Sequence, residues 1–233
     1  MVYSRFYNAE SLPFNKSEAL RYFGYKAGSA PSLEVQSLFD ECVREADLAC
    51  SYKVCYAEFE IFKEKDGKTL NLDFTKTSSQ ALSLNLNGCH KVVAFAATIG
   101  VGIDRLITRY SSLYPGKAYA FQAIGAERIE TLCNAFNSDI KREYQARGEY
   151  TRPRFSCGYG DFPLEKQRDF LTALDCNRKI GLTLNDSLSM SPSKSVTAII
   201  GIANTPHNRE ENYNNSCNGC NDCSDIHCSF KKQ

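Results

Sequence analysis

The stretch that decides the fold is Val92-Val-Ala-Phe-Ala-Ala-Thr-Ile-Gly-Val-Gly-Ile103. Its first half, Val92 to Ala97, is apolar at every position, so a strand built from it would bury both of its faces. This pattern predicts a central strand in a sheet that is covered on both sides. A second run, Lys194 to Ile202 (KSVTAIIGI), is rich in β-branched residues and predicts another strand deep in the same sheet.

Helical and extended segments surround these two runs without regular alternation. Apolar residues recur at helical spacing in four segments: residues 33–48, 104–110, 118–144 and 164–174. Two stretches, 52–62 and 69–74, alternate in hydrophobicity on either side of an Asp-Gly turn, which predicts a hairpin. Irregular alternation of this kind favours an α+β fold with a mixed, largely antiparallel sheet and flanking helices.

The composition excludes several classes of protein. The chain has 233 residues, 42% of them hydrophobic and 24% charged, and a formal net charge of +1. We therefore expect no general attraction to nucleic acid. The first residues show no signal peptide, and no apolar run approaches the roughly 20 residues that span a bilayer. We expect a cytoplasmic protein that does not enter the membrane.

The character of the chain changes abruptly after residue 203. The stretch that follows, NTPHNREENYNNS, is polar and has no apolar period, as expected of a linker. The sequence therefore predicts an α+β domain over residues 1–203, a polar linker over 204–216 and a cysteine-rich tail over 217–233.

Four of the eleven cysteines are concentrated in that tail. They are Cys217, Cys220, Cys223 and Cys228. Four thiolates at this spacing match an all-cysteine site for zinc or for an iron–sulfur cluster, and His227 is a possible substitute ligand. The alternative is a redox-labile tail without metal.

The densest informative loop is Arg154-Phe-Ser-Cys-Gly-Tyr-Gly-Asp-Phe-Pro163. Gly158 and Gly160 flank Tyr159, so the backbone there is free to approach a ligand closely. Arg154 offers a planar guanidinium to a carboxylate or a phosphate. The alternative is a surface turn that leads into a helix whose start is capped by the aspartate of this loop.

Several separated motifs occur in an order that resembles one known family. They are Arg154-x-x-x-Gly158-Tyr159, then Leu184-Asn-Asp-Ser187, Met190, Pro192 and Ser195-Val-Thr197, preceded by Ala97-Thr-Ile-Gly100, Ala123-Ile-Gly125 and Glu130. Together they resemble the activation domain of cobalamin-dependent methionine synthase, especially its short free-standing members. The resemblance spans roughly residues 85–203.

The resemblance implies a ligand and a set of binding residues. The family binds S-adenosylmethionine, the methyl donor that rescues oxidised cobalamin. Arg154 matches the arginine that meets the ligand carboxylate, and Glu130 matches an acidic residue on the long helix that is suited to the ammonium. Tyr159 matches a tyrosine that faces the docking cobalamin. The alternative for Glu130 is a solvated helix position. The residues expected around the adenosyl part are Ser156, Cys157, Gly158 and Gly160.

The function implied is that of an accessory protein for the reductive remethylation of cobalamin. Its partner would be a cobalamin-binding methionine synthase or a related corrinoid protein, with a flavodoxin or a ferredoxin as a possible electron donor. The chain contains no Asp-x-His-x-x-Gly motif for cobalamin, so activity is expected to depend on that partner. The alternative from another class is a zinc or iron–sulfur protein for electron transfer or scaffolding, with a decayed ligand pocket.

Overall fold

A computed structural model describes residues 1–26, 30–64 and 69–206. The strands are β1 (Tyr3–Tyr7), β2 (Tyr52–Glu60), β3 (Phe62–Lys63), β4 (Leu70–Asn71), β5 (Lys76–Thr77), β6 (Cys89–Thr98), β7 (Tyr150–Thr151), β8 (Phe155–Ser156), β9 (Thr183–Leu184), β10 (Met190–Ser191) and β11 (Ser195–Ala203). The helices are α1 (Lys16–Tyr22), α2 (Leu33–Ala49), α3 (Gln80–Asn85), α4 (Gly102–Leu113), α5 (Pro115–Gln145), α6 (Gln167–Ala173) and α7 (Cys176–Ile180).

The main sheet has six strands within the described residues, in the order β1-β2-β6-β11-β7, and β8 also pairs with β11. Every strand pairing in the described part of the chain is antiparallel. Strand β6 lies between β2 and β11, with register from Ser195 opposite Thr98 to Ile202 opposite Lys91. The expected central position of the Val92–Ala97 run is therefore confirmed.

Helices cover both faces of this sheet. Along β6, Val93, Phe95 and Ala97 pack into one core with α1, α2, α4 and α5. The alternate residues Val92 and Ala94 pack into a second core with α3, α6 and α7. All five of these side chains are fully buried. The structure confirms the expected fold class, an antiparallel sheet with flanking helices.

The predicted helices are present, with different bounds. The segments 33–48, 104–110 and 118–144 correspond to α2, α4 and α5, each longer than its apolar pattern. The segment 164–174 is a single 3-10 turn, Leu164–Lys166, followed by α6. The predicted hairpin is the β3–β4 pair, whose Asp-Gly turn lies outside the described residues.

Part of the predicted domain organisation lies beyond what the structure describes. Strand β11 ends at Ala203, and the described chain continues to Pro206. The four tail cysteines and most of the proposed linker are outside the described residues. The three-part division therefore stays a prediction. Among the described residues, no helix is long and apolar enough to cross a membrane.

Two glycines fix the approach of α4 to α2. Gly100 has a φ of +80°, and a Cβ built on it would lie 2.2 Å from the hydroxyl oxygen of Ser51. A Cβ on Gly102, the first residue of α4, would lie 1.9 Å from the backbone oxygen of Ala49 at the end of α2. The two glycines of this Gly-Val-Gly stretch therefore allow close packing, since only glycine leaves room for these contacts.

We expect Gly102→Ala to destabilise the protein by about 1–3 kcal/mol, because the added methyl group overlaps a backbone atom that must move. Gly116→Ala is the matched control. No atom lies within 4 Å of the Cβ position on Gly116 in α5, and alanine is the better helix former by at most about 1 kcal/mol. Urea unfolding followed by circular dichroism measures both changes. Equal stability of the two variants would contradict the packing role of Gly102.

Candidate functional site

Strand β8 positions the arginine of the predicted site. Ser156 pairs with Ala198 and Phe155 with Ile199, so this short strand lies along the outer side of β11. Ala198 belongs to the core beneath α5, whereas Ile199 belongs to the opposite core. Since side chains alternate along a strand, Arg154 and Ser156 are on the α5 side of the sheet.

Arg154 meets two residues of α5 there. Its Nη2 donates to Glu130 Oε2 at 2.5 Å, and its Nη1 donates to Asn134 Oδ1 at 2.8 Å. The Arg154 side chain is 22% exposed and that of Glu130 40% exposed. The structure therefore brings together the two residues assigned to the two charges of an amino acid, and it leaves both reachable from solvent.

The surroundings show that this ion pair lies at the edge of the core. Burial raises the pKa of the neighbouring Cys133 thiol to about 12, and the positive charge of Arg154 opposes that rise. Burial also raises the pKa of Tyr22 on α1, with a further contribution from the Glu130 carboxylate. The two charges are therefore only partly screened by water, which strengthens their interaction with any third charge.

Sequence reasoning missed Asn134. It occupies the position four residues after Glu130 on α5, and residues at that spacing share one face of a helix. The spacing was visible in the sequence, but a neutral amide on a long helix does not by itself indicate a binding residue. Its side-chain oxygen fixes one arm of the guanidinium and so orients the other arm toward Glu130.

The loop after β8 folds into a compact turn. Gly158 has a φ of +86° and donates its N–H to the carbonyl of Phe162 at 2.8 Å. The N–H of Tyr159 donates to the carbonyl of Ser156 at 3.2 Å. Gly160 also has a positive φ, +54°. These two backbone donors are therefore already engaged within the loop.

The remaining loop residues point in different directions. Tyr159 is 69% exposed, and its ring lies 6.2 Å from that of Phe155. Cys157 is buried in the core on the α6 side of the sheet, and burial raises the pKa of its thiol to about 12. The Cys157 side chain is therefore a neutral thiol on the face opposite Arg154.

Asp161 caps a helix, although not the one expected. Its carboxylate accepts from the hydroxyl of Ser79 and from the N–H groups of Gln80, at 2.7 Å, and Ala81, at 3.1 Å. These groups begin α3, which lies about eighty residues earlier in the chain. The hydrogen bond from Ser79 is the main cause of a lowered pKa for Asp161. Asp161 thus caps the start of a helix, as in the alternative interpretation of this loop, but the helix is α3 and not the one that follows the loop.

The second motif segment fastens the start of β11. The β9–β10 hairpin pairs Leu184 with Met190. Ser193 donates both its N–H and its hydroxyl to the carboxylate of Asp104 on α4, and Ser195 donates its hydroxyl to Thr98 at 2.9 Å. The two segments that carry the family resemblance thus meet on one strand, because β8 pairs with the middle of β11 and this hairpin leads into its start.

Two shallow depressions lie elsewhere on the described surface. One, of about 430 Å³, is lined by Arg5, Asp139, Arg142 and Glu143, and the other, of about 410 Å³, lies between α6 and β9. Neither includes the loop from Arg154 to Gly160. In the described ranges, no group of three or more metal-ligating side chains is arranged to hold a metal ion.

Comparison with known proteins supports the fold. No protein-family model matches the chain, and no curated protein matches it. Among solved structures, the crystal structure of the MetH reactivation domain bound to AdoHcy matches with a TM-score of 0.65. The two sequences are 15% identical, and the match covers 86% of this chain and 78% of that one. At this identity the likeness shows that the two proteins share a fold.

Proposed function

We propose that this protein binds S-adenosylmethionine at the Arg154–Glu130 pair and serves the reductive remethylation of cobalamin on a partner protein. The partner class is a cobalamin-dependent methionine synthase or a related corrinoid methyltransferase. The observation that carries the proposal is the pairing itself. A guanidinium and a carboxylate, 24 residues apart in the chain, lie in contact and partly exposed on a surface of the shared fold.

This pair is chemically complementary to the amino-acid end of the ligand. The carboxylate of a free amino acid suits a planar guanidinium, and its ammonium suits a carboxylate. Binding would exchange one internal ion pair for two ion pairs with the ligand. A ligand with both charges replaces both partners, whereas a simple anion or cation leaves one protein charge unpaired. The fold neighbour was crystallised with AdoHcy, which has the same amino-acid end.

The protein residues need only hold and orient the ligand. When bound, S-adenosylmethionine supplies the methyl group that reaches the reduced cobalt of the partner. Arg154 and Glu130 fix the amino-acid end, and Asn134 keeps the guanidinium in its plane. Such positioning requires no general base on this chain. Activity then depends on docking of the partner over the ligand.

Tyr159 is the residue best placed for that docking. Its exposed ring stands at the tip of the turn between two glycines with positive φ, a short distance in sequence from Arg154. Large exposed aromatic residues beside a ligand site are typical anchors of protein interfaces. A flavodoxin or a ferredoxin remains the candidate class of electron donor to the complex.

We expect Arg154→Ala to weaken S-adenosylmethionine binding about tenfold or more, because truncation leaves the ligand carboxylate without its charged partner. Isothermal titration calorimetry measures the affinity. Arg178→Ala is the matched control. Arg178 also forms an ion pair, with Asp175, but its side chain is 80% exposed. Unchanged affinity of Arg154→Ala, or no saturable binding by the unaltered protein, would contradict the proposal.

We expect Tyr159→Ala to leave ligand affinity unchanged and to weaken association with the cobalamin-loaded partner about tenfold, as truncation of an interface anchor does. Phe6→Ala is the control, because Phe6 is 66% exposed on β1 at the other edge of the sheet. Biolayer interferometry with the immobilised partner measures both. Equal effects of the two variants on the affinity for the partner would contradict an interface role for Tyr159.

The cysteine tail supports a second candidate function, that of a metal- or cluster-binding scaffold or electron carrier. We expect anaerobically purified protein to contain zinc or iron, detected by elemental analysis, with broad visible absorption for an iron–sulfur cluster. Changing Cys217, Cys220, Cys223 and Cys228 to serine should remove the metal and leave S-adenosylmethionine affinity unchanged. Metal-free unaltered protein would contradict the metal site. Metal without ligand binding would favour this second function over the first.

A further inference from the structure

Helix α3 contacts the loop of residues 153–161, the site loop, at both ends of that loop. At the start of the loop, Asn85 donates its side-chain amide to the carbonyl of Pro153 at 3.2 Å. At its end, the carboxylate of Asp161 accepts from the N–H of Gln80 at 2.7 Å. Gln80 and Asn85 are the first and last residues of α3, about 7.5 Å apart along the helix axis. The site loop therefore lies along the whole length of this short helix.

The site loop is held from both faces of the sheet. On one face, Arg154 contacts Glu130 and Asn134 of α5. On the opposite face, α3 packs into the second core through Leu82, which is fully buried there with side chains of α6 and α7. The arginine of the loop is thus fixed to one helix layer, and Asp161 is fixed to the other.

The turn between these two attachments consists of Gly158, Tyr159 and Gly160. Both glycines have positive φ values, and glycine loses more conformational freedom on folding than any other residue. The order of this turn must therefore come from its contacts. One of them is close packing on α3, because a Cβ built on Gly160 would lie 3.0 Å from the Cβ of Ala81. Another is the anchoring of Phe162, which is 1% exposed in the same core as α3.

We infer that Asp161 is a positioning residue, which holds the turn around Tyr159 in its binding geometry through the start of α3. This inference rests on the proposed function, in which this turn lies beside the ligand and carries the anchor for the partner. The Asp161 carboxylate accepts from three donors of one helix start: the hydroxyl of Ser79 and the N–H groups of Gln80 and Ala81. Hydrogen bonds to an ionised acceptor are the stronger class, and helix-start N–H groups have no partner within their own helix. The loop and α3 therefore order each other.

A change in α3 tests this role without altering the loop itself. Gln80 is the first residue of α3, a position where proline is tolerated. Ser79 before it has an extended backbone, as the residue before a proline prefers. Gln80→Pro therefore deletes the N–H that donates to Asp161 and leaves the helix in place. Leu33→Pro is the matched control, since Leu33 begins α2 after an extended serine and its N–H has no acceptor among the described residues.

We expect Gln80→Pro to weaken S-adenosylmethionine binding about threefold, the effect of one lost hydrogen bond. Asp161→Ala should weaken it about tenfold, because ordering one freed backbone residue again on binding costs roughly that factor. Leu33→Pro should bind as the unaltered protein does. Isothermal titration calorimetry measures the three affinities at a temperature at which each variant is folded. Weaker binding by Asp161→Ala with unchanged binding by Gln80→Pro would overturn the inference, because the carboxylate would then act on the ligand directly.

Amide hydrogen exchange separates this inference from the proposed function, because it requires no ligand. The N–H of Gly158 donates to the carbonyl of Phe162, and the N–H of Phe162 donates to the carbonyl of Tyr159. We expect both amides to exchange faster in Gln80→Pro, with the amides of β6 and α2 unchanged, since only the turn loses a contact. Unchanged exchange at both amides would overturn the role of Asp161. Failure of the unaltered protein to bind S-adenosylmethionine would instead overturn the proposed function.

Discussion

The pairing of β6 with β11 is the constraint on which the rest of the structure depends. Both strands are buried on their two faces, so their backbone groups have no access to water and must be satisfied by the ladder itself. Each face then needs a layer of helices, because the residues on both sides are apolar. The same pairing determines where the candidate site lies. Strand β8 adds to the outer side of β11, and its register with Ala198 determines that Arg154 faces α5.

Close backbone packing around this pair is possible because small residues occur where elements meet. A Cβ on Gly201 of β11 would lie 2.6 Å from a methyl carbon of Leu86 and 2.7 Å from the sulfur of Cys89. Gly102 and Gly125 have the corresponding roles on the other face, at α4 and α5. These three contacts thus depend on the absence of a side chain. In the sequence, a glycine that allows close packing looks the same as a glycine in a ligand-binding loop. Only the contacts in the structure distinguish the two.

The sequence predicted those helices and strands that have a regular apolar pattern of their own. The Val92–Ala97 run and helix α5 were recognised because burial on one or two faces leaves a regular apolar pattern. Strand β1 was missed because it is an edge strand with exposed residues, among them Tyr3 and Phe6. Its pairing with β2 is a long-range effect that local composition does not encode. Helices α3 and α7 are one to two turns long, too short for a period to appear.

The same distinction holds within the candidate site. Arg154 and Glu130 were predicted from separate motifs, but their contact depends on the β8–β11 register and on the position of α5 over the sheet. Asp161 shows the opposite case. A capping residue was recognised by its type and assigned to the nearest helix, whereas the loop carries it across to α3. The sequence identifies which residues can bind, and the tertiary structure decides which groups they bind.

At the proposed site, the internal ion pair would give a selectivity that neither residue would have alone. Removing Arg154 from Glu130 costs free energy, because both charges are partly shielded from water. A ligand recovers that cost only when it satisfies both groups at once, at the separation that an amino acid provides. Phosphates and simple carboxylates bind many exposed arginines, but here they would leave Glu130 unpaired beside an anion. A site built in this way would discriminate against ligands that carry only a single negative charge. In the proposed function, the ion pair would recognise the amino-acid end in general, and contacts to the rest of the ligand would discriminate among amino-acid derivatives.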